Sequence, residues 1–250
     1  MRVFMATLDN QIKAFYRDPQ ALTFTIVMPL LIMLVLNLFN IHVVGPGGRQ
    51  HNYIDLLLPG MIALTATSVG MQSVVFGIVR YKERGVLRRI KASPAGPMAF
   101  INGIAASRVV VVVLSAVMTY LAGRYIFQAH PSGSGLGLIA LSVFSAPAFI
   151  AIGMIVVGLA KNEDQAGPMM FLIFIPLLLF SGLFVPRAGL NDAVAWVTRG
   201  LPMTYLVDAL QRVGFRGQGF SSALWTDLLG LTVWAAIATA IATRTWTWES

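Results

Sequence analysis

Long apolar stretches separated by short polar connections dominate the chain, and they lie at about residues 21–39, 55–79, 100–122, 136–160, 167–186 and 223–243. Each stretch is close to the roughly 20 residues that a helix needs to cross a hydrocarbon core of about 30 Å. The stretches are too long for ordinary strands, and none shows the alternation that marks an outer-membrane barrel. The pattern predicts an all-α integral membrane protein, with six transmembrane helices in a single transmembrane domain over residues 1–250.

The first eighteen residues have a different, amphipathic pattern. Phe4, Leu8 and Ile12 recur at helical spacing, while the charged side chains fall largely on other positions. Such a helix lies in the headgroup plane with its cations toward anionic lipid. Asp18-Pro19 then breaks the helix before the first span. We expect an interfacial helix over residues 1–18, which either anchors the chain at the membrane surface or moves together with the spans.

Composition supports a membrane protein. Hydrophobic residues make up 57% of the chain and charged residues 11%, against roughly 25% charged residues in a typical soluble domain. The net charge of +8 does not indicate nucleic-acid binding, because the cations lie in short connections between apolar blocks. The absence of cysteine excludes disulfides, thiol chemistry and cysteine-ligated metals. We therefore expect membrane lipid, and no nucleic acid, among the partners.

Lysine and arginine are distributed unequally between the two predicted sides of the membrane. Because cytoplasmic loops carry the excess of these residues, the distribution predicts a cytoplasmic membrane protein with both termini in the cytoplasm. The predicted outer side holds Arg49, Arg124, Arg187, Arg199, Arg212 and Arg216. The remaining 12 of the 18 fall on the inner side: Arg2, Lys13, Arg17, Arg80, Lys82, Arg84, Arg88, Arg89, Lys91, Arg108 near a helix end, Lys161 and Arg244.

Motifs for catalysis or nucleotide binding are absent from the sequence. The histidines form no metal-binding pair, and no Ser/His/Asp grouping on the spans indicates a hydrolase. A phosphate-binding loop of the Walker type needs lysine after glycine, whereas the four lysines follow Ile12, Tyr81, Ile90 and Ala160. No ionisable residue falls clearly in the centre of a span, which argues against a proton-coupled carrier. We expect no catalytic residue, metal or bound cofactor in this chain.

Two connections are unusual for simple loops. Residues 80–94 are basic, carry Leu87 among several arginines, and end at Ser93-Pro94. They predict a short cytoplasmic helix, which either docks on an acidic, partly apolar partner or merely fixes topology. Residues 187–216 are too polar to span the membrane and too apolar for a free loop, which predicts short re-entrant helices between spans five and six.

In this order, these features resemble the permease subunit of a type-2 ATP-binding-cassette exporter, the class that includes daunorubicin-type drug, multidrug and polysaccharide exporters. The similarity covers essentially the whole chain. It departs from many relatives at Gly189-Leu190-Asn191, where they carry a proline. The matching residues are Arg17-Asp18-Pro19, Glu83-x-Gly85 closing at Ser93-Pro94, Ser181-Gly182 with Pro186, and then Trp196, Pro202, Thr204-Tyr205 and Asp208-Ala209.

The resemblance implies that two permease chains, as a homodimer or heterodimer, form the pathway. Two copies of a separate ATPase subunit would dock beneath them and hold ATP and Mg²⁺, so this chain itself is not expected to be an enzyme. The resemblance also implies an outer gate that includes Ser181, Gly182, Pro186, Pro202 and Tyr205. The expected ATPase-coupling residues, on a coupling helix over 80–94, are Tyr81, Lys82, Glu83, Arg84, Gly85, Leu87 and Arg88.

Residue chemistry suggests where a substrate pathway could run. Thr65, Ser68 and Gln72 share one face of the second span, and Phe171 and Phe174 precede a proline on the fifth. Adaptable apolar surfaces with a few polar groups suit a hydrophobic or amphipathic, drug-like molecule taken from the cytoplasm or inner leaflet. The same side chains also suit contacts with lipid or with neighbouring helices.

Three other functions stay open from the sequence. The same machinery would also suit export of a lipid, glycolipid or polysaccharide, although the tryptophans lie mostly in the outer loop or near the ends of the last span. An embedded lipid enzyme would need paired acid/base groups, for which Asp192 and Asp208 are the acidic residues of the outer segment. A receptor or assembly scaffold would need neither a pathway nor an ATPase.

Overall fold

The computed structural model describes residues 19–39, 42–44, 50–87, 97–183, 197–219 and 221–246, and within the first eighteen it describes Met5, Asp9, Asn10, Ile12, Lys13, Phe15 and Arg17. The described residues form a helical bundle with one short hairpin. In chain order the elements are α1 (Pro19–Leu22), a π-helical turn (Thr23–Val27), α2 (Met28–Leu38), β1 (His42–Val44), β2 (Gln50–Asn52), α3 (Tyr53–Glu83), α4 (Pro97–Tyr125), α5 (Gly135–Leu159), α6 (Glu163–Phe180), α7 (Pro202–Gly214) and α8 (Ser222–Thr245).

Among the described residues, five helices are long and apolar enough to cross a membrane: α3, the Phe100–Tyr125 part of α4, α5, α6 and α8. They correspond to the second through sixth predicted spans, with ends displaced by a few residues. The prediction of a helical, multi-pass membrane protein is confirmed. The departure from an all-α chain is the antiparallel pairing of β1 with β2, in which Val43 lies opposite His51.

The first predicted span is a run of three helical segments. α1, the π-helical turn and α2 follow one another without a break, and Thr25–Leu38 is a shorter apolar helix than the other five. The turn is π-helical because the amide of Met28 donates to the carbonyl oxygen of Thr23, five residues earlier. Leu31, Leu34 and Leu38 are exposed on this run, as suits contact with lipid.

Helix α3 forms the centre of the bundle and contacts α2, α4, α5, α6 and α7. Small residues let the neighbouring backbones approach it. A Cβ on Gly70 would lie 2.5 Å from the Cβ of Phe149, and a Cβ on Gly153 would lie 3.0 Å from the carbonyl oxygen of Met71. Glycine at these crossing points is the usual means by which transmembrane helices pack backbone against backbone. The α3–α5 crossing therefore fixes the middle of the fold.

Helix α7 runs antiparallel to α8 and reaches deep beside it. The indole Nε1 of Trp234 donates to the carbonyl oxygen of Gly200 at 2.8 Å, and the Tyr205 ring lies against Gly230. Nearer the start of α8, Arg212 Nε donates to Asp227 Oδ2 at 2.8 Å. Trp234 is twelve residues into α8, which is about 18 Å at 1.5 Å per residue. The segment before α7 therefore lies about halfway along α8.

Contacts among three connections between helices show which segments lie at the same end of the bundle. The amide of Ser132, between α4 and α5, donates to the carbonyl oxygen of Gly214 at 2.8 Å. Gly214 in turn lies against Pro59, in the second turn of α3. Asp55 is buried at the same end, where its Oδ1 accepts the amide hydrogen of His130 at 2.7 Å. The start of α3, the α4–α5 connection and the end of α7 therefore share this end.

The described positions of the first eighteen residues are helical, and their burial is amphipathic. Phe15 is buried, whereas Asp9, Lys13 and Arg17 are exposed. Lys13 Nζ donates to Asp9 Oδ2 at 2.7 Å, one helical turn away. This arrangement agrees with an apolar face toward the bundle and a charged face away from it.

Candidate functional site

The last turn of α3 caps the end of α5. Lys82 is 8% exposed, and its Nζ donates to the carbonyl oxygen of Ala160 at 2.9 Å and lies 3.5 Å from that of Val157. The last carbonyls of a helix have no partner within the helix, and a cation there also complements the helix dipole. Lys82 therefore joins α3 to α5 through a charge-assisted bond.

The same turn of α3 also holds the start of α6. Glu83 Oε1 accepts the amide hydrogen of Glu163 at 2.6 Å, and Arg80 Nε donates to Glu163 Oε1 at 2.8 Å. A carboxylate at a helix start satisfies a free amide and the positive end of the dipole. We call Arg80, Lys82 and Glu83, with the Ala160–Glu163 connection that they contact, the α3 joint. Through it, one turn of α3 contacts both the end of α5 and the beginning of α6.

The other expected coupling residues surround the α3 joint. The ring of Tyr81 packs edge-to-face on Phe100 of α4, with ring centroids 5.9 Å apart. The helix ends where Gly85 takes φ +65°, and the Gly85 amide donates to the carbonyl oxygen of Lys82 at 3.1 Å. Arg84 is exposed and Leu87 is buried. Arg88 and the rest of the segment through residue 94 lie outside the described residues.

The boundary of the expected coupling helix differs from the prediction. Residues 80–83, expected at the start of a separate helix over 80–94, form the end of α3 instead. Helix α3 continues past its apolar region because Lys82 and Glu83 form hydrogen bonds with the end of α5 and the start of α6. Positive φ favours glycine, and the chain changes direction at Gly85.

The expected pathway residues lie on α3 and α6, and these two helices are in contact. The side chain of Phe76 on α3 lies against Gly167 on α6, and Leu183 lies against Gly60. The order of these two contacts shows that α3 and α6 run antiparallel, with Leu183 just beyond the end of α6.

The polar groups on this face of α3 have different partners. The hydroxyl of Thr65 donates to the carbonyl oxygen of Ile62 at 2.8 Å, within its own helix. Gln72 is 6% exposed, and its Nε2 has no hydrogen-bond partner among the described residues. Ser68 and Phe174 are buried as well. A buried amide without a partner is costly, and this makes Gln72 the most distinctive group of the five.

The expected gate residues fall into two groups. The hydroxyl of Ser181 donates to the carbonyl oxygen of Leu178 at 3.0 Å, and Gly182 follows with φ +84° at the end of α6. Pro202 begins α7, and Tyr205 lies on its α8 side. Helix α7 contacts α6 as well as α8. Pro186 lies outside the described residues.

One buried cation was missed by the sequence reasoning. Arg108, expected near a helix end, is 3% exposed, and it lies eleven residues after the start of α4. Its Nη2 is 2.9 Å from the position that a Cβ on Gly77 would occupy. The absent side chain of Gly77 thus makes room for the guanidinium. An intramembrane arginine deserves a functional test, and its position within an apolar run was the available signal.

The described residues contain no group of three or more His, Cys, Asp and Glu side chains that could hold a metal ion. The charged contacts of the bundle instead hold helix ends together. Residues 2–215 match the sequence profile of a family described as ABC-2 type transporter. The chain belongs to the ABC-2 type transporter family. The predicted resemblance to a type-2 ATP-binding-cassette permease is confirmed.

Relatives with curated names agree with this membership. The inner membrane transport permease YhhJ of Escherichia coli (strain K12) is 27% identical over 179 residues, covering 69% of this chain and 46% of that protein. The probable multidrug ABC transporter permease YbhR of the same strain is 21% identical over 182 residues, covering 73% and 49%. ABC transporter G family member 20 of Dictyostelium discoideum is 21% identical over 189 residues, covering 75% and 26%. The chain spans half or less of the length of these three relatives.

The ABC-2 type family consists of transmembrane components of transporters. In that setting the α3 joint lies at the end of the bundle opposite Pro59 and Gly214, where α3 leads into the basic connection. The contacts of Arg80, Lys82 and Glu83 connect α3, α5 and α6 at this point.

Proposed function

We propose that this ABC-2 type chain is the permease subunit of an ATP-driven exporter of hydrophobic or amphipathic small molecules. Two permease chains, identical or closely related, form the pathway, and two copies of a separate ATP-binding-cassette subunit bind ATP and Mg²⁺. The chain itself holds no cofactor and hydrolyses nothing. It lies in the cytoplasmic membrane with both termini in the cytoplasm, so that the α3 joint faces the ATPase.

The observation that carries this proposal is the α3 joint. The ATPase docks on the connection after Gly85, with Tyr81, Leu87 and Arg88 flanking the contact. Because Lys82 and Glu83 bind the end of α5 and the start of α6, displacement of this connection moves α3, α5 and α6 as one unit. A device that transmits a movement needs such rigid joints rather than free loops.

The six-span arrangement completes the proposal. The continuous α1–α2 run is the first span, and residues 1–18 form the interfacial helix beside it. The segment over 187–216, which includes α7, is re-entrant: Gly200 lies beside Trp234, about halfway along α8, and Gly214 returns to the level of Pro59. Ser181, Gly182, Pro186, Pro202 and Tyr205 form the gate at this outer end.

The substrate pathway runs along the α3–α6 contact, where Thr65, Ser68, Gln72, Phe171 and Phe174 lie. The unpartnered amide of Gln72 supports this position, since it offers a donor within an otherwise apolar surface. Met and aromatic side chains around it adapt to varied apolar ligands. The second candidate cargo, a lipid, glycolipid or polysaccharide, would use the same subunits.

A photoreactive amino acid at position 84 tests the proposed joint in whole cells. Arg84 is exposed, so the replacement leaves the internal contacts of the α3 joint in place. We expect irradiation to link position 84 to an ATP-binding-cassette subunit identified by mass spectrometry. Position 216, exposed at the opposite end, is the matched control and should capture no ATPase. Equal capture at both positions, or none at position 84, would contradict the proposal and favour the enzyme or scaffold functions.

A further inference from the structure

An apolar cavity of about 450 Å³ lies between α5 and α8, at the end of the bundle where α7 finishes. Its volume falls within the roughly 300–1,000 Å³ typical of ligand pockets. Four glycines leave room for it by contributing no side chain. The described residues lining it are Gly133, Ser134, Gly137, Ala140, Leu141, Phe144, Val213, Gly217, Gln218, Gly219, Leu224 and Leu228.

The cavity extends along the helix axes rather than across them. Its lining begins at Gly133 and Ser134, just before α5, and continues along α5 to Phe144. Ten residues of helix correspond to about 15 Å at 1.5 Å per residue. The α8 wall likewise continues from Leu224 to Leu228. In a membrane the cavity therefore runs roughly parallel to the lipid chains, with its Ser134 end nearer the headgroups.

The polar groups of the cavity lie at the end where α5 begins. Ser134 and Gln218 line the cavity there, and the exposed Arg216 immediately precedes the lining residue Gly217 in sequence. Trp225, in the first turn of α8, is 57% exposed, as is common for tryptophan at the membrane–water interface. The inner end is apolar, with Phe144 and Leu228. A ligand with a phosphate beside Arg216 and a hydrocarbon chain between α5 and α8 would match the polar end and the apolar end of the cavity.

We propose that this cavity binds one acyl chain of an anionic phospholipid whose phosphate lies beside Arg216. The polar groups at one end, the direction of the cavity along the helices and the exposed cation next to Gly217 in sequence all favour such an amphiphile over an unattached hydrocarbon. The site is separate from the α3–α6 contact, because none of its lining residues lies on α3 or α6. The proposal requires a membrane environment and does not depend on which side of the membrane the end faces.

Phosphatidylglycerol with a photoactivatable diazirine on one acyl chain is the probe. The purified chain, in lipid nanodiscs of phosphatidylcholine with a small fraction of the probe, is irradiated, digested and analysed by mass spectrometry. We expect labelling near Phe144 and Leu228 at least threefold above that at Val233 and Ile237, which face outward on α8. Uniform labelling along α8 would overturn the proposal.

Two substitutions, each with a control, test the apolar cavity and the cationic position separately. Ala140→Trp fills the cavity and should lower the labelling near Phe144 at least threefold, whereas Ala236→Trp, exposed on α8 away from the cavity, should not. Arg216→Gln should remove the preference for labelled phosphatidylglycerol over labelled phosphatidylcholine. Arg244→Gln, exposed at the other end, should leave that preference unchanged. Labelling that survives Ala140→Trp, or a lipid preference that survives Arg216→Gln, would overturn the assignment. These lipid-labelling results do not depend on whether the photoreactive residue at position 84 captures an ATPase, so the two proposals are tested independently.

Discussion

Lys82 donates from Nζ to the carbonyl oxygen of Ala160 at 2.9 Å, and this one bond ties the end of α3 to the end of α5 across 78 positions of sequence. The neighbouring Glu83 binds the first amide of α6. The basic connection of an ABC-2 type chain therefore begins at a point where three helices already meet. A ligand or subunit that moves this point acts on all three.

Lys82→Met keeps the length of the side chain and removes the cap of α5. We expect a loss of about 1.5–3 kcal/mol of stability, the usual contribution of a hydrogen bond to a charged group. On the proposed export function, we also expect weaker stimulation of the partner ATPase by an amphipathic test drug, daunorubicin, in the purified complex. Thermal unfolding and ATP hydrolysis measure the two effects. Lys161→Met is the control, because Lys161 is exposed. Equal behaviour of the two variants would contradict the role of the cap.

Gly153→Leu tests the central helix crossing. A side chain at position 153 would meet the backbone of Met71 and Gly70, which cannot turn away as a flexible side chain can. We expect overpacking to cost at least about 1–3 kcal/mol and to lower the yield of folded protein in detergent. Gly167→Ala is the matched control, since its Cβ would lie 3.9 Å from Phe76, at ordinary contact distance. A monodisperse, equally stable Gly153→Leu protein would rule out this close packing.

Arg212→Gln tests how α7 is held beside α8. It leaves the buried Asp227 carboxylate without the guanidinium that contacts it at 2.8 Å. Removing one partner of a buried pair costs about 3–5 kcal/mol, and we expect the lower part of that range because Arg212 is partly exposed. Thermal unfolding should show recovery in the double variant Arg212→Gln/Asp227→Asn, which removes the buried charge. A double variant that is less stable than Arg212→Gln would contradict this explanation.

Gln72→Leu distinguishes a pathway residue from a structural one. Because Nε2 has no hydrogen-bond partner among the described residues, its removal should leave thermal stability unchanged or slightly higher. On the proposed export function, we expect the concentration of daunorubicin, used as an amphipathic test drug, that gives half-maximal ATPase stimulation to shift severalfold. Thr65→Val is the comparison, because the Thr65 hydroxyl is bonded within its own helix. Unchanged daunorubicin dependence in Gln72→Leu would place the pathway elsewhere.

The lack of cysteine allows a direct test of orientation. Arg84→Cys and Ser132→Cys place single thiols at exposed positions of opposite ends of the bundle. We expect a membrane-impermeant maleimide to label Ser132→Cys in intact cells and Arg84→Cys only after lysis. The reverse pattern would show that the excess of lysine and arginine does not set the orientation of this chain.

The spans were predictable because a long apolar run has few alternatives in a bilayer, and α3 through α6 and α8 follow the sequence pattern closely. The α3 joint was not predictable in detail. Lys82 and Glu83 look like ordinary residues of a basic loop, and their partners on Ala160 and Glu163 become adjacent only through the antiparallel packing of α3, α5 and α6. Arg108 was misplaced for a related reason, since the space that accommodates it comes from Gly77 on another helix.

Purification of the tagged chain from its own membrane in mild detergent, with quantitative mass identification of the bound proteins, shows whether it works with a separate ATPase. We expect one ATP-binding-cassette subunit per permease chain, lost in Arg84→Glu and retained in Arg216→Glu. A stable chain that purifies without any ATP-binding subunit would rule out the proposed exporter.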